Sequence, residues 1–259
     1  MEHPAIIVIG AAVAGFVRGL SGFGFSMTAI AMWAWVLDPQ LAAVLAVFGA
    51  LTGQVMSAFT VRRGWHAQTL LPFPAGGLAG LPLGLYLLPR LDVPMFKAVL
   101  GLVLVIACPL MFFAAQLPRI TRGGHIADAV AGSVGGVMGG LGGSTGVAPT
   151  LWCTLRGYEK DRQRAVIQNF NLAMLSITFV GYLATGLVER SMLPLFAVVA
   201  PAMLVPAVLG ARLYVGISEL TFRKVVLGLL TASGAGLLAS SIPVLLARWA
   251  TPESARGRP

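Results

Sequence analysis

Long apolar runs, separated by short polar loops, dominate the chain. Most of these runs approach the ~20 residues that an α-helix needs to cross a bilayer. Eight segments can be read, over residues 5–37, 41–61, 69–88, 93–116, 126–155, 165–187, 193–215 and 222–247. This pattern predicts an all-α integral membrane protein.

A glycine pattern occurs twice, inside the first and the fifth segment. The first copy reads GFVRGLSGFGFSM from Gly15, and the second reads GGVMGGLGGSTGVAP from Gly135, 120 residues later. Weaker matches follow in the same order, such as FKAVLGL from Phe96 and FRKVVLGL from Phe222. The chain is therefore predicted to hold two homologous repeats of about four segments each. Their bounds are 1–117 and 126–247, with a linker over 118–125 and a disordered tail over 248–259.

The first and fifth segments are too long for one ordinary span and too short for two. Glycine destabilises a helix by ~1 kcal/mol per residue relative to alanine. Broken backbone at membrane depth must also be buried in protein or line a water-filled cavity. We therefore expect two half-helices in each segment, around a bend at residues 21–24 in the first and 142–146 in the fifth.

The loop charges indicate how the repeats are oriented. If the first and fifth segments enter and leave on the same side, more of the 18 basic residues lie in cytoplasmic loops than if every segment crosses. Each repeat then contains three true crossings. This arrangement predicts that the two repeats are inverted relative to each other.

Composition supports the membrane assignment and excludes other classes. The chain is 57% hydrophobic and only 10% charged, against about 25% charged residues in soluble domains. The net charge of +9 is spread over short loops, so it predicts contact with the lipid bilayer and no nucleic-acid partner. We find no paired carboxylates, metal-ligand cluster, nucleotide loop or catalytic triad in the sequence. It therefore predicts no enzyme, no catalytic residue, no metal and no cofactor.

The two bends supply the candidate substrate site. A duplicated, glycine-broken segment is typical of a transporter's substrate site, and the start of a half-helix attracts anions. Arg18 is a charge at membrane depth, which indicates either substrate binding or a side chain that snorkels to the interface. Polar residues of segments two and six are weaker candidates, and their alternative role is hydrogen bonding between helices. The predicted substrate-binding residues are Arg18, Ser21, Gly22, Gly24, Ser26, Gly142, Gly143, Ser144, Thr145, Gly146, Gln168 and Asn171, with Thr52 and Gln54 as candidates in segment two.

Other glycines are expected to serve close helix packing instead of binding. They recur at a spacing of four residues, which places small residues on one helix face. The pairs and triplet with this spacing are Gly15 with Gly19, Gly49 with Gly53, Gly80 with Gly84, and Gly132 with Gly136 and Gly140.

The motifs GFVRGLSGFG, GGVMGGLGGSTGVAP, and GARLY followed by FRKVVLGLL resemble the sulfite exporter TauE/SafE family over nearly the whole chain. The resemblance implies a secondary transporter of sulfite, sulfonates, sulfoacetate or related organosulfur anions. Many members carry three glycines after each bend. Here those positions read Phe23-Gly24-Phe25 and Ser144-Thr145-Gly146, and the phenylalanines indicate a more apolar site on the side of the first repeat.

Together these observations predict a multi-pass inner-membrane transporter of small anions that works by alternating access. The possible further partners are a coupling ion, either a proton or sodium, and other copies of the same chain in a homo-oligomer. The alternatives are a carrier for small carboxylates, a membrane assembly subunit that transports nothing, an intramembrane enzyme and a passive channel.

Overall fold

The structure, a computed structural model, describes residues 4–22, 24–60, 67–120, 123–213 and 219–250. These residues form helices joined by short turns, and no strand occurs among them. The helices are α1 (Pro4–Ser21), α2 (Phe25–Trp33), α3 (Pro39–Thr60), α4 (Ala67–Leu70), α5 (Pro72–Leu87), α6 (Val93–Phe113), α7 (Gly124–Gly142), α8 (Val147–Leu155), α9 (Lys160–Ala184), α10 (Leu193–Leu213) and α11 (Glu219–Ala250).

Within the described residues, six helices are long and apolar enough to cross a membrane: α1, α3, α6, α9, α10 and α11. The prediction of an all-α, multi-pass membrane protein is therefore confirmed. Of the predicted disordered tail, residues 248–250 belong to α11, and 251–259 lie outside the described residues. Helix α7 begins inside the predicted linker, at Gly124, while residues 121–122 of that linker lie outside the described part.

Two helical hairpins, α1–α2 and α7–α8, contain the glycine bends. Gly22, Gly24 and Gly143 have φ angles of 72°, 87° and 76°, a left-handed conformation that glycine adopts at little cost. Each short helix turns back along the longer one, and a tryptophan near its end ties it there. Trp33 Nε1 donates to the backbone oxygen of Ile6 at 3.3 Å, and Trp152 Nε1 donates to Asp128 Oδ1 at 2.7 Å. We call these pairs the first and the second hairpin.

Glycine faces let two pairs of helices touch along their backbones. A Cβ on Gly19 of α1 would lie 2.1 Å from the backbone oxygen of Ala207 of α10. A Cβ on Gly136 of α7 would lie 2.1 Å from the backbone oxygen of Gly77 of α5. The packing role predicted for these glycines is confirmed. For Gly49 and Gly53 the same prediction is wrong, because side chains and not a helix backbone fill the space beside them.

Gly136→Ala tests this backbone contact between α5 and α7. The added methyl group has no room, so we expect the variant to lose about 1–3 kcal/mol of stability or to misfold. Gly228→Ala in α11 is the matched control, since nothing lies within 4 Å of that position. Thermal unfolding of the purified protein in detergent measures both variants. Equal melting temperatures for the two variants would contradict the packing role of Gly136.

The helix directions follow from contacts between neighbours. Helix α3 runs parallel to α1, with Gly53 beside Arg18 near the end of α1. Helix α9 runs antiparallel to α3, because Gln54 late in α3 donates to the backbone oxygen of Gln168 early in α9. Asp92, just before α6, pairs with Arg248 near the end of α11. Lys97, early in α6, lies over the ring of Trp35, just before α3. The starts of α1, α3 and α6 thus lie on one side, called here the N-terminal side, and the ends of α3 and α6 lie on the opposite side.

Candidate functional site

A cavity of about 530 Å³, including its open mouth, lies between the two hairpins. Both bends contribute to its wall, and so do α3 and α9. Beyond the bends the wall continues through Gln54 late in α3, Thr150 in α8 and Ile167 early in α9. The cavity therefore extends from the middle of the bundle toward the opposite side, and we call it the polar cavity.

Arg18 is the charged residue in the wall of the polar cavity. Its side chain is buried, with 7% of the residue exposed. Its Nη2 donates to Gln54 Oε1 at 3.2 Å and to Ser57 Oγ at 3.1 Å, and both partners are neutral. Burial inside the bundle shows that the snorkelling alternative is wrong.

No carboxylate faces Arg18 in the described part of the chain. The ion pairs found there join Arg248 to Asp92 and His125 to Asp128. A buried charge costs several kcal/mol unless an opposite charge and hydrogen bonds compensate it. The guanidinium thus presents an uncompensated positive charge to the polar cavity.

Gly53 provides the space that the Arg18 side chain occupies. A Cβ at this position would lie 2.3 Å from Arg18 Nε and 2.7 Å from Cζ. Any larger residue would push the guanidinium out of its present position. Gly49 does the same for the ring of Phe25, whose nearest carbon would lie 2.3 Å from an added Cβ.

The starts of α2 and α8 both face the polar cavity. In α2 the first helical hydrogen bond runs from Thr28 N to the oxygen of Gly24 at 3.0 Å, and in α8 it runs from Thr150 N to the oxygen of Gly146 at 2.9 Å. The N–H groups that precede these bonds have no acceptor inside their own helix. The helix dipoles add partial positive charge at the same ends. Two helix starts and one guanidinium thus converge on a single cavity.

The second bend contributes neutral polar groups. Thr145 Oγ1 donates to Asn171 Oδ1 at 2.9 Å. A Cβ on Gly146 would lie 2.7 Å from Asn171 Nδ2 and 2.8 Å from its Oδ1, so the amide packs directly against Gly146. Across the two hairpins, Ser26 Oγ donates to the backbone oxygen of Gly143 at 3.0 Å. The two bends are therefore in direct contact.

The polar cavity brings together about half of the residues predicted from the sequence: Arg18, Gly22, Gly24, Ser26, Gly146 and Asn171. The others lie nearby in different settings. Ser21 Oγ donates to the backbone oxygen of Val17, and Gln168 accepts the bond from Gln54 with its backbone oxygen. Thr145 and Gly143 are buried behind the wall, while Gly142 and Ser144 line a second cavity.

Phe25 lines the polar cavity, but the charge of the site also comes from the first repeat, through Arg18. Of the two candidates in segment two, Gln54 reaches the polar cavity, whereas Thr52 Oγ1 donates to the backbone oxygen of Phe48 in its own helix. Phe23 lies outside the described residues. The expected apolar character of the first-repeat side therefore holds for Phe25 alone.

Three glycine or polar residues of the site were not predicted from the sequence: Gly53, Ser57 and Thr150. Gly53, Gln54 and Ser57 lie within one turn of α3, so helical periodicity places them on adjoining faces. A search for small and polar positions at that spacing opposite Arg18 would have found them. Thr150 follows the second bend by one helical turn and shows no such signal.

A family model described as "Sulfite exporter TauE/SafE" matches residues 7–237 of the chain. No curated protein and no solved structure matches it.

Proposed function

We propose that this chain, which belongs to the sulfite exporter TauE/SafE family, exports a small sulfur oxyanion or sulfonate through the polar cavity. The family is one of multi-pass membrane transporters, and its description names export of sulfite. The observation that carries the substrate class is Arg18, a buried guanidinium whose hydrogen-bond partners are neutral. An anion in the polar cavity would supply the missing opposite charge.

The donors around the polar cavity suit an oxyanion with three oxygens. Arg18 has five N–H donors, and the two on Nη2 are used by Gln54 and Ser57, which leaves those on Nη1 and Nε for an anion. The N–H groups at the starts of α2 and α8 that have no acceptor in their own helix can donate to the other oxygens. Sulfite and sulfonates each present three oxygens on one sulfur, whereas a carboxylate presents two. This match supports the sulfur anion over a small carboxylate.

The helix pairs support an inverted repeat. Suppose that the first repeat (α1, α2, α3, α5 and α6) corresponds in order to the second (α7, α8, α9, α10 and α11). The operation that relates the repeats then converts the pair α1–α10 into the pair α7–α5, and both pairs occur in the structure. Helices α3 and α9, and likewise α6 and α11, pair with their own counterparts in antiparallel directions. A two-fold axis in the membrane plane has this effect, as in other transporters built from inverted repeats.

Loop charges support the opposite side as the cytoplasmic side of an inner membrane. Basic residues concentrate between α6 and α7, after α8 and in the first turns of α9, as the positive-inside rule requires. They include Arg119, Arg156, Lys160, Arg162 and Arg164. The polar cavity extends toward this side, so it would load from the cytoplasm. Rocking one repeat against the other would then expose the anion to the outside.

Flux through reconstituted liposomes tests this function. We expect wild-type protein to release trapped radiolabelled sulfite with saturable kinetics, and external sulfite to accelerate the release by counterflow. Sulfoacetate and taurine should compete better than acetate. Arg248→Ala, which removes an exposed arginine, should behave like wild type. No release above protein-free liposomes would overturn transport. Release without counterflow would identify a channel, and stronger competition by acetate would identify a carboxylate carrier.

A further inference from the structure

A second cavity, of about 380 Å³, lies on the other side of the two bends. Its wall consists of α6, Leu91 just before that helix, the second hairpin and Ile30 of α2. Leu91 marks the end of this cavity nearest the N-terminal side. The wall residues are apolar except for Ser144, so we call this space the apolar cavity.

The repeat relates the two cavities to each other. A shift of 120 residues takes Arg18, Gly22 and Gly24 of the polar cavity to Met138, Gly142 and Ser144 of the apolar cavity. The reverse shift takes Thr150 of the polar cavity to Ile30 of the apolar cavity. Four wall positions of one cavity are therefore the repeat equivalents of four in the other. They lie on opposite sides of the contact between Ser26 and Gly143.

We propose that the apolar cavity is the outer half of the substrate path, which the anion enters after it leaves Arg18. This inference rests on the proposed transport function. The repeat correspondence makes the two cavities the two mouths of one carrier. Met138 occupies the position in the apolar cavity that corresponds to Arg18 in the polar cavity. The outer mouth therefore has no charged side chain in its wall. The anion is bound tightly from the cytoplasmic side and released quickly on the outside.

The difference in charge between the two mouths changes the affinity for the anion on each side of the membrane. It does not change the transport equilibrium. Around a closed thermodynamic cycle, a weaker outward-facing site must be balanced by the free energy of the conformational change. The difference therefore sets the rate of release and the half-saturation concentration on each side. The coupling ion or the substrate gradient still sets the direction of net flux.

The apolar cavity lies on the interior face of α6 and not on the lipid face. Phe96 and Leu100 in its wall are only 4% and 9% exposed. Leu102 and Ile106, on the other face of α6, are 53% and 51% exposed, as expected for side chains that meet lipid. Val103 borders the apolar cavity and is adjacent in sequence to Leu102. The two residues therefore form a matched pair for a test.

Val103→Trp should fill the apolar cavity and leave the polar cavity intact. We expect sulfite release from liposomes to fall at least tenfold, while the sulfite dissociation constant, measured by thermal shift in detergent, stays within twofold of wild type. Leu102→Trp should release sulfite like wild type. A normal rate for Val103→Trp, or an equal loss of rate and binding, would overturn this proposal. Wild-type protein that neither binds nor releases sulfite would refute the transport function itself.

Thiol labelling separates an aqueous path from a lipid-filled crevice. In a background with Cys108 and Cys153 replaced by alanine, Val103→Cys should react with a charged, membrane-impermeant thiol reagent added from the N-terminal side. Leu102→Cys should not react. Absence of labelling at Val103→Cys, or equal labelling of both positions, would overturn the aqueous path.

Discussion

Replacing Arg18 by methionine should lower sulfite transport by about 30- to 100-fold and raise the thermal stability of the ligand-free protein. The loss corresponds to the ~2–3 kcal/mol of charge-assisted hydrogen bonds that the anion would no longer receive. The gain in stability arises because Arg18 is buried beside neutral partners only. Methionine fills a similar volume, and Met138 stands at the matching position of the second glycine pattern.

Two measurements check this expectation. Flux in liposomes gives the transport rate, and melting curves with and without sulfite give stability and binding from the same preparation. Arg248→Met is the control, since Arg248 is an exposed arginine paired with Asp92 at the N-terminal side. A ligand-free Arg18→Met protein that melts below wild type would mean that Arg18 is structural. Unchanged flux would remove it from the substrate site.

Gly53→Ala should lower transport almost as much as Arg18→Met, although Gly53 offers no side chain to a substrate. Its new methyl group would overlap Arg18 Nε and Cζ, so the guanidinium must leave its bonds to Gln54 and Ser57. We expect the half-saturation concentration for sulfite to rise more than the maximal rate falls, because anion binding is what the displacement weakens. Flux measured over a range of sulfite concentrations separates the two parameters.

The double variant distinguishes positioning of Arg18 from general damage to the fold. If Gly53 acts through Arg18, Gly53→Ala should cost nothing further once Arg18 is methionine, whose side chain bends more easily around the methyl group. Gly228→Ala, in open space on α11, should transport like wild type. Additive losses in the double variant would show that Gly53 affects transport by a route independent of Arg18.

Apolar patterning predicted the helices well because it is a local property of a membrane chain. The eight apolar segments of the sequence correspond to the helices and hairpins of the structure, with ends that differ by a few residues. The predicted and observed helix ends differ because hydropathy reports how apolar a stretch is and not the residue at which its helix ends. Gly124, for example, begins α7 inside a stretch that reads as a polar linker.

The site was only partly predictable from the sequence. Arg18 and the bend glycines were found because a charge or a broken helix at membrane depth is costly and therefore conspicuous. Gly53 was missed because a glycine beside another helix looks the same whether it faces a backbone or a side chain. Gly142 and Ser144 line the apolar cavity because of the way the two hairpins pack against each other. A local sequence pattern cannot predict that packing.

Each hairpin packs against a helix from the other half of the chain, and the two hairpins meet these partners at different times during synthesis. Helix α7 lies along α5, which leaves the ribosome only about 40 residues earlier, so the second hairpin meets its partner as soon as it is made. Helix α1 lies along α10, which follows about 170 residues later, or roughly 10–35 s at ordinary translation rates. During that interval the newly inserted first hairpin exposes its glycine face to lipid or to the insertion machinery, while Arg18 meets its partners in α3 much earlier. The glycine face of α1 is therefore covered by its partner helix much later than the glycine face of α7.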